Sequence, residues 1–453
     1  MTATQPRTVL VSPPEPPHTG PPRSRGLGLL AFALLVITAY AAAVDLGATG
    51  HMTSRSLVLP GGMALTFLVA YLLLRRFAPL ADPVLLPVAA LINGVGVVFL
   101  RRVDLADGGG RAPLDFASLG VRQLAWTAAS VVVFGVVLGV LRDHQALSRY
   151  AYTFALAGSV LVLVPVLLPA RYSEVYGSKL WIRVGGFSLQ PGELAKLCLM
   201  VFFAHYLVRK REVLALASRR VLGLWVPRGR DLGPVLVVWS ASMLVLASQK
   251  DLGMALMYFG MFVAMLYIAT RRGSWVAVGV LLFAAGAVAS YLLYPRLHLR
   301  VAIWLHPFAD PNGDGYQLVQ GLIGLGTGGL LGTGPGLGHP RMVPEVHNDF
   351  IIAGLGEEVG LFGLTALLAL YLILVVRGLR AALQVTDSFG KLLAGGLAFG
   401  LGLQVFVIVA GVTRLLPLTG QTTPLLSAGG SSLLANWITI AVLARISHQA
   451  RRA

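Results

Sequence analysis

The chain has 453 residues, of which 56% are hydrophobic and only 12% are charged, and its net charge is +17. A soluble globular domain carries about 25% charged residues, so this composition excludes an ordinary soluble protein. We attribute the positive charge to loops that face anionic lipid rather than to a surface that binds nucleic acid. The single cysteine, Cys198, excludes an intrachain disulfide.

Apolar runs of about 18 or more residues recur along the chain, each long enough to cross ~30 Å of hydrocarbon as a helix. We therefore predict an all-α polytopic membrane protein with about 12 transmembrane helices. The predicted spans are 26–45, 57–74, 83–100, 122–141, 150–168, 191–208, 233–248, 252–269, 274–294, 350–376, 390–413 and 428–447. Residues 1–25, rich in Pro, Ser, Thr and Arg, are predicted to form a disordered cytoplasmic tail.

The distribution of Lys and Arg predicts the orientation of these spans. Most basic residues fall in segments on the same side as the N-terminus, with the densest cluster between residues 209 and 230. Both termini are therefore predicted to be cytoplasmic, and the two long polar loops 169–190 and 295–349 to be extracellular. Arg101 and Arg102 are the main exceptions, because they fall on the outer side.

The first long loop leads into a helix through the sequence GSKLWIRVGGFSLQPGELAK, residues 177–196. Pro191 suits the first turn of a helix, where its missing N–H would be unpaired. Glu193 and Lys196 then lie one turn apart on the same face. They form either a stabilising ion pair at a capped helix or part of a polar cleft that holds a charged lipid headgroup, because charges inside a membrane usually have a function.

Two further polar segments interrupt the apolar pattern. SQKDLGMAL (248–256) places Lys250 and Asp251 between two spans, where Asp251 is either a helix cap or part of the wall of the same cleft. PLTGQTTPLLSAGGSS (417–432) has an irregular composition that must face protein or water, so it forms either a re-entrant turn or another rim of the cleft.

A third segment concentrates acidic residues at the start of a long apolar helix. HPRMVPEVHNDFIIAGLGEEVG, residues 339–360, contains His347, Asp349, Glu357 and Glu358. Asp349 lies where the polar loop meets the helix, a position that suits a general base or an oxygen ligand to a divalent cation, Mg²⁺ or Mn²⁺, at a diphosphate. It also suits the N-cap of a helix that begins at Phe350. No HExxH motif indicates zinc, and the sequence does not identify metal ligands.

Taken in order, these segments resemble the SEDS family (shape, elongation, division and sporulation), whose members include RodA and FtsW. The matching segments are GSKLWIRVGGFSLQPGELAK, QKDLGMAL, WLHPFADPNGDGYQLVQ, GGLLGTGPGLG, PEVHNDFIIAGLGEEVGLFG and PLTGQTTPLLSAGGSSL. The resemblance implies a SEDS-type helical bundle over residues 81–453. Residues 26–80 would then be two additional helices beyond the family's typical ten, as in actinobacterial members. GVTRLLPLTG is more similar to RodA than to FtsW.

The resemblance implies a peptidoglycan glycosyltransferase that polymerises lipid II at the outer face of the bacterial plasma membrane, for cell elongation or division. It assigns the catalytic role to Asp349, because residues 347–350 match the family's HTDF-like motif with Asn348 in place of Thr. Glu193 and Lys196 match its polar positions, although Gly192 replaces the usual Ser. The candidate substrate-binding residues are Trp181, Arg183, Glu193, Lys196, Lys250, Asp251, His347 and Glu357.

The implied reaction expels undecaprenyl diphosphate, whose charge needs a cation such as Arg183 or Lys196 or a divalent metal ion. We expect Glu193 and Lys196 to share one cleft with Asp349. The chain has no Ser-x-x-Lys acylation site in a periplasmic domain, so a class B penicillin-binding protein is the expected transpeptidase partner. Two other functions fit the same buried charges: a lipid II flippase, and a scaffold that recruits a transpeptidase without catalysis.

Overall fold

The computed structural model describes residues 23–52, 54–110, 114–175, 178–184, 187–216, 219–221, 224–226, 233–249 and 251–452. Within these ranges the chain is predominantly helical. The α-helices are α1 (Arg23–Thr49), α2 (Val58–Phe77), α3 (Leu85–Asp107), α4 (Leu119–Val140), α5 (Gln145–Arg149), α6 (Ala151–Leu167), α7 (Ala170–Ser173), α8 (Pro191–Leu216), α9 (Gly233–Gln249), α10 (Leu252–Thr270), α11 (Gly273–Leu293), α12 (Pro295–Leu305), α13 (Tyr316–Gly328), α14 (Ile351–Gln384), α15 (Ser388–Val412) and α16 (Gly430–Ala450).

Strands are confined to three short antiparallel pairs in the described chain. They are β1 (Glu174–Val175) with β2 (Ser178–Lys179), β3 (Ile182–Val184) with β4 (Phe187–Leu189), and β5 (Arg219–Val221) with β6 (Leu224–Val226). The first two pairs lie in the loop before α8, so they shape the entrance to that helix rather than a sheet core.

The helices confirm the predicted polytopic membrane fold. Among the described residues, ten are long and apolar enough to cross a membrane, and two shorter apolar helices, Ala151–Leu167 and Val235–Val245, occupy the remaining predicted spans. The predicted disordered tail lies mostly outside the described residues. Its last three residues, 23–25, instead begin α1. The helix therefore begins three polar residues before the apolar run from residue 26.

Helices α3 and α16 are the most enclosed of the ten spans and form the centre of the bundle. The helix α16 packs against α4 and α8, while α10, α14 and α15 pack side by side around them. The two N-terminal helices lie on the outside of this centre, α1 against α3 and α2 against α4. Both faces of α3 are therefore covered by protein, which explains why its polar side chains are buried.

The long loop 295–349 is not an open loop, because α12 and α13 fold within it and α13 penetrates beside α14. A glycine-rich segment, defined here as residues 329–338, then returns along α14 to the end of the bundle that carries Asp349. Leu361 N donates to Gly329 O at 3.0 Å and Phe362 N donates to Leu330 O at 3.1 Å, ten residues inside α14. The helix is broken there, at Gly360 with φ of +66°.

The break in α14 allows backbone N–H groups of the glycine-rich segment to form hydrogen bonds with protein instead of water. Thr333 N donates to Glu357 O at 2.9 Å, and Gly334 N donates to Glu358 O at 3.0 Å. These carbonyls are free because the helix does not continue regularly past Gly360. Non-helical backbone at membrane depth is tolerated only where protein supplies such partners.

Candidate functional site

The loop between α15 and α16 turns back into the bundle and forms the floor of the candidate site. Asn93 on α3 donates its side-chain amide to Leu425 O at 3.1 Å, and the Tyr371 hydroxyl on α14 donates to Pro424 O at 2.5 Å. Leu425 has φ of +64°, an uncommon conformation for a branched residue. Of the two alternatives for residues 417–432, the structure therefore shows a re-entrant turn, which lies next to the other polar segments.

Backbone contacts fix the segment before α14 against this turn. Ala428 N donates to His347 O at 2.8 Å, and the Ser427 hydroxyl donates to Asn348 O at 2.5 Å. The Asn348 side-chain amide donates to the Glu345 carboxylate at 2.6 Å. Glu345 has φ of +53°. A strained, doubly anchored backbone of this kind is characteristic of positions where side-chain direction matters.

Asp349 follows directly and its carboxylate is half-buried. It does not cap the helix, since α14 begins at Ile351 with Phe350 at the N-cap and no side-chain cap hydrogen bond. The N-cap interpretation of Asp349 was therefore wrong. Burial raises the pKa of this carboxyl to about 7, with a further increase from the charge of Glu345, against the opposing effects of neighbouring backbone amides and Arg300. A carboxyl that titrates near neutrality suits a general base.

Arg300 is a site residue that the sequence analysis missed. It lies on α12 and is partly exposed, and its positive charge acts on both Asp349 and Asp251. No hydrogen bond or ion pair engages its guanidinium in the part of the chain that the structure describes. The sequence feature that could have identified Arg300 is its place in a short amphipathic segment of the loop 295–349.

Glu193 and Lys196 form the predicted ion pair at the start of α8, with Nζ 2.9 Å from Oε2. Pro191 is the first residue of that helix. Both charged side chains are buried, and Lys196 also donates to the Gln404 side chain at 2.6 Å. Gln404, on α15, is a second residue that the sequence analysis missed, since an isolated Gln in an apolar span carries no motif.

A cavity of about 20 Å³ lies beside this ion pair, with room for a single water molecule. Its polar lining comes from Glu193, Lys196, Gln404, Asn436 and Thr439. Asp349 is not among the lining residues, so this cavity does not join the ion pair to Asp349, and a shared cleft stays a prediction. The connection is indirect: Gln404 donates to Thr422 O of the re-entrant turn at 2.9 Å.

Asp251, at the start of α10, also contacts the re-entrant turn. It caps α10 by accepting from Met254 N at 3.0 Å, as the cap interpretation predicted. Its buried carboxylate also accepts from the Gln421 side chain at 3.3 Å. Asp251 is therefore both a helix cap and part of the polar wall. Lys250 lies outside the described residues.

Several buried polar atoms around the re-entrant turn have no hydrogen-bond partner among the described residues. They are both carboxylate oxygens of Glu193, Oε1 of Gln421, and the hydroxyls of Thr422 and Thr423. Lys196 is within ion-pair distance of Glu193, but the angles are not those of a hydrogen bond. Buried polar groups are normally paired, so such a concentration indicates a site for water or for a polar ligand.

Three of the sequence-predicted residues make no hydrogen bond or ion pair with this cluster among the described residues. Trp181 and Arg183 belong to the β3–β4 region, where Arg183 is exposed, and no hydrogen bond or ion pair joins them to Asp349 in the described chain. Glu357 is buried, and its carboxylate accepts from His339 N at 3.0 Å. In this structure Glu357 supports the loop after the glycine-rich segment, and its contact with substrate stays a prediction.

The described residues contain no group of three or more His, Cys, Asp or Glu side chains arranged for a metal ion. His347 Nε2 lies 3.7 Å from the Glu345 carboxylate. Mg²⁺, however, is commonly held by one or two carboxylates together with substrate phosphates. Asp349 fits a cation that shares its ligands with a diphosphate, rather than a site built from protein alone.

The fold and site define a polytopic helical membrane protein with buried ionic networks and a half-buried loop carboxylate, Asp349. A family model described as "Cell cycle protein", for FtsW, RodA and SpoVE, matches residues 83–452. This chain belongs to the FtsW/RodA/SpoVE family.

Relatives are similar over most of the chain. Peptidoglycan glycosyltransferase RodA of Mycobacterium tuberculosis is 49% identical over 451 residues, 98% of this chain and 93% of that protein. The Mycobacterium leprae RodA is 45% identical with the same coverage. A probable peptidoglycan glycosyltransferase FtsW of Geobacter sulfurreducens is 36% identical over 69% of this chain and 82% of its own length.

Solved structures share the fold at lower identity. A mutant of the Thermus thermophilus rod shape determining protein RodA aligns with a TM-score of 0.58 and 24% identity, over 82% of this chain and 99% of that chain. A chain from a study of polymerization and crosslinking by a peptidoglycan synthase complex aligns with a TM-score of 0.56 and 24% identity, over 87% and 98%. The predicted membership of this family and its helical architecture are confirmed.

Proposed function

We propose that this chain is a peptidoglycan glycosyltransferase that polymerises lipid II into glycan strands. The relatives are named peptidoglycan glycosyltransferases, and the observation in this chain that supports the proposal most is Asp349. Its carboxyl lies at the mouth of the bundle, has no capping role, and titrates near neutrality because it is half-buried. Because the Asp349 carboxylate does not cap the helix, it is free to accept a proton from a substrate.

The chemistry follows from the groups around that carboxylate. A sugar hydroxyl of the acceptor attacks the anomeric carbon of the donor, Asp349 takes the hydroxyl proton, and the undecaprenyl diphosphate departs with the bonding electrons. The leaving group needs positive charge. Arg300 serves this role better than Lys196, because Lys196 is buried and already paired with Glu193 and Gln404. Arg183 is exposed and could contact an outer part of the substrate.

The alternative role for Asp349 is to hold a divalent cation, Mg²⁺ or Mn²⁺, instead of accepting the proton. Asp349 would then bind the cation together with oxygens of the substrate diphosphate, and the positive charge of the cation would stabilise the leaving group. We expect chelation by EDTA to lower the activity and either cation to restore it. Full activity in EDTA would leave Arg300 as the main source of positive charge.

We further propose a bacterial plasma membrane location with both termini cytoplasmic and Asp349 at the outer face, where lipid II is consumed. The proposed partner is a class B penicillin-binding protein, since the only Ser-x-x-Lys sequence of this chain, residues 388–391, begins the apolar helix α15 and does not belong to a periplasmic domain. One of the structurally similar chains comes from a peptidoglycan synthase complex that coordinates polymerization with crosslinking, which supports a partner of this kind.

The decisive experiment uses purified protein in detergent or liposomes with lipid II and no other synthase. Glycan strands from the wild type, lost in Asp349→Asn and retained in Asp314→Asn, are the expected result. Asp314 is an exposed acid in the same loop and serves as a matched control. Translocation of lipid II without strands would support the flippase alternative. If the protein produces no strands and translocates no lipid II but captures a transpeptidase, the scaffold alternative would be supported.

A further inference from the structure

The helix α1 lies outside the part of the chain that the family model matches, which begins at residue 83. It is nevertheless not a peripheral anchor. The helix packs along α3, and its last two turns reach the glycine-rich segment that precedes Asp349. A helix with no part in the site would not need close contact with that segment.

The contact is made by backbone, through two glycines. A Cβ atom at Gly47 of α1 would lie 2.1 Å from the Pro335 carbonyl oxygen. A Cβ atom at Gly336, whose φ is +83°, would lie 2.5 Å from the Val44 carbonyl oxygen. Neither position has room for a side chain, because both neighbouring atoms belong to the main chain. The glycine-rich segment is therefore pressed directly against α1.

Two buried ion pairs hold the same region in place. Arg101 of α3 pairs with Asp45 of α1, with Nε 3.2 Å from Oδ1. The next residue, Arg102, pairs with Glu358 of α14 at 2.7 Å and donates to Gly338 O at 2.6 Å. These pairs also explain why two arginines at this end of α3 depart from the charge rule: both are neutralised inside the protein.

Glu358 closes the network around the glycine-rich segment. Its second oxygen accepts at 3.0 Å from the backbone N of Gly336, the same glycine that contacts α1. The hydroxyl of Tyr40, also on α1, is buried without a partner among the described residues and lies within electrostatic reach of Glu358 and Arg102. One helix of the N-terminal pair thus contributes a carboxylate, a hydroxyl and a backbone surface to a single cluster.

We propose that α1 is a positioning element of the active site, which holds the glycine-rich segment through the Gly47–Gly336 contact and the Asp45–Arg101 pair and thereby sets the position of Asp349. The segment from Gly338 to Asp349 is short and is fixed at its far end by the re-entrant turn. Val343 and Val346 within it are buried. A displacement at Gly336 is therefore passed to Asp349 rather than absorbed by a flexible connection. This inference rests on the proposed function of Asp349.

The test compares Gly47→Ala with Gly28→Ala, because both glycines lie on α1 but Gly28 has no atom within 4 Å of its would-be Cβ. In full-length protein with lipid II, we expect Gly47→Ala to lower kcat about 10- to 100-fold with KM nearly unchanged, as for a misplaced reacting group. Gly28→Ala should match the wild type. Hydrogen–deuterium exchange should increase in residues 329–349 of Gly47→Ala and stay unchanged in α15.

Each outcome decides one question. Wild-type kcat in a folded Gly47→Ala protein would overturn the positioning role, as would a general increase in exchange across the bundle with kcat and KM affected alike. If Gly47→Ala does not fold, Asp45→Asn provides the second test, since it keeps the shape of the side chain and removes the charge that pairs with Arg101. Unchanged kcat there overturns the proposal. A wild-type protein without polymerase activity would refute the proposed function instead.

Discussion

At the scale of single residues, environment rather than residue type separates the candidate base from other acids of the same loop. The Asp310 carboxylate is exposed and accepts from Gly313 N and Asp314 N at 3.0 and 3.2 Å, so it closes a turn. Asp349 is half-buried and caps nothing. Loss of hydration raises its pKa towards neutrality, and this places its proton affinity where a general base is effective.

The pH dependence of activity should follow from this. Asp349 must be ionised to accept a proton, so kcat/KM should fall about tenfold per pH unit below an inflection near 7 and level off above it. Arg300→Gln removes a charge that lowers the Asp349 pKa and should move the inflection to higher pH. Glu345→Gln removes one that raises it and should move the inflection to lower pH.

The same experiment contains its control. Asp314→Asn should leave the inflection where it is in the wild type. Shifts of Arg300→Gln and Glu345→Gln in the same direction, or an unmoved inflection in both, would contradict the assignment of the titrating group to Asp349.

The Glu193–Lys196 pair gives a prediction about stability. Lys196→Met leaves the carboxylate of Glu193 buried without its cation and should destabilise the fold by about 3–5 kcal/mol. The double variant Glu193→Gln with Lys196→Met should recover most of that loss, because no buried charge then remains. Thermal denaturation in one detergent measures both, and equal stabilities for the single and double variants would show that the pair is not coupled.

At the scale of elements, the end of the bundle that carries Asp349 is built from helices that are broken or joined by irregular backbone. The helix α14 breaks at Gly360, α13 ends beside that break, and the glycine-rich segment takes up the carbonyls that the break releases. The turn between α15 and α16 enters the bundle in a similar way. Irregular backbone is costly in hydrocarbon, so its presence here marks places where protein groups replace water.

The break in α14 can be tested directly. A Cβ at Gly360 would lie 2.3 Å from Gly332 N, and its φ of +66° disfavours any side chain. Gly360→Ala should destabilise the protein by about 1–3 kcal/mol and reduce polymerisation. Gly326→Ala on α13 is the control, since nothing lies within 4 Å of its would-be Cβ. A Gly360→Ala variant as stable and active as Gly326→Ala would rule out a need for the break.

At the scale of the whole molecule, the bundle surrounds its polar groups with apolar helices. Asp251, Glu193 and Lys196 are buried near the re-entrant turn, while Arg101, Arg102 and Glu358 are buried behind the glycine-rich segment. The helices at the periphery, such as α11, expose most of their apolar side chains, as expected for surfaces that contact lipid. Two separate ionic clusters therefore flank the segment that carries Asp349.

Orientation in the membrane can be checked with the protein's own cysteine content. In a Cys198→Ser background the chain has no other cysteine, so single cysteines report location. Asp314→Cys should react with a membrane-impermeant maleimide added to intact cells, and Arg452→Cys should react only after lysis. The opposite pattern would place the termini outside and would exclude lipid II consumption at the outer face.

The sequence alone was sufficient for the class of protein, its spans and its family. Each of the twelve predicted spans coincides with an apolar helix, because the thickness of the hydrocarbon core imposes a length and composition that are visible in any window of the chain. Local spacing also indicated the Glu193–Lys196 pair and the Asp251 cap, each as one of two alternatives, and the structure shows both. Partners three residues apart on a helix are determined by its geometry.

Only the tertiary structure decided which distant groups meet. Arg102 reaches Glu358 across 256 residues, and Lys196 reaches Gln404 across 208. Neither pair follows from spacing. Arg300, the role of Glu357 in supporting a loop, and the contact between α1 and the glycine-rich segment depend in the same way on how helices pack. Hydropathy determines which segments enter the membrane, whereas packing of small residues and pairing of buried charges determine how those segments are arranged around Asp349.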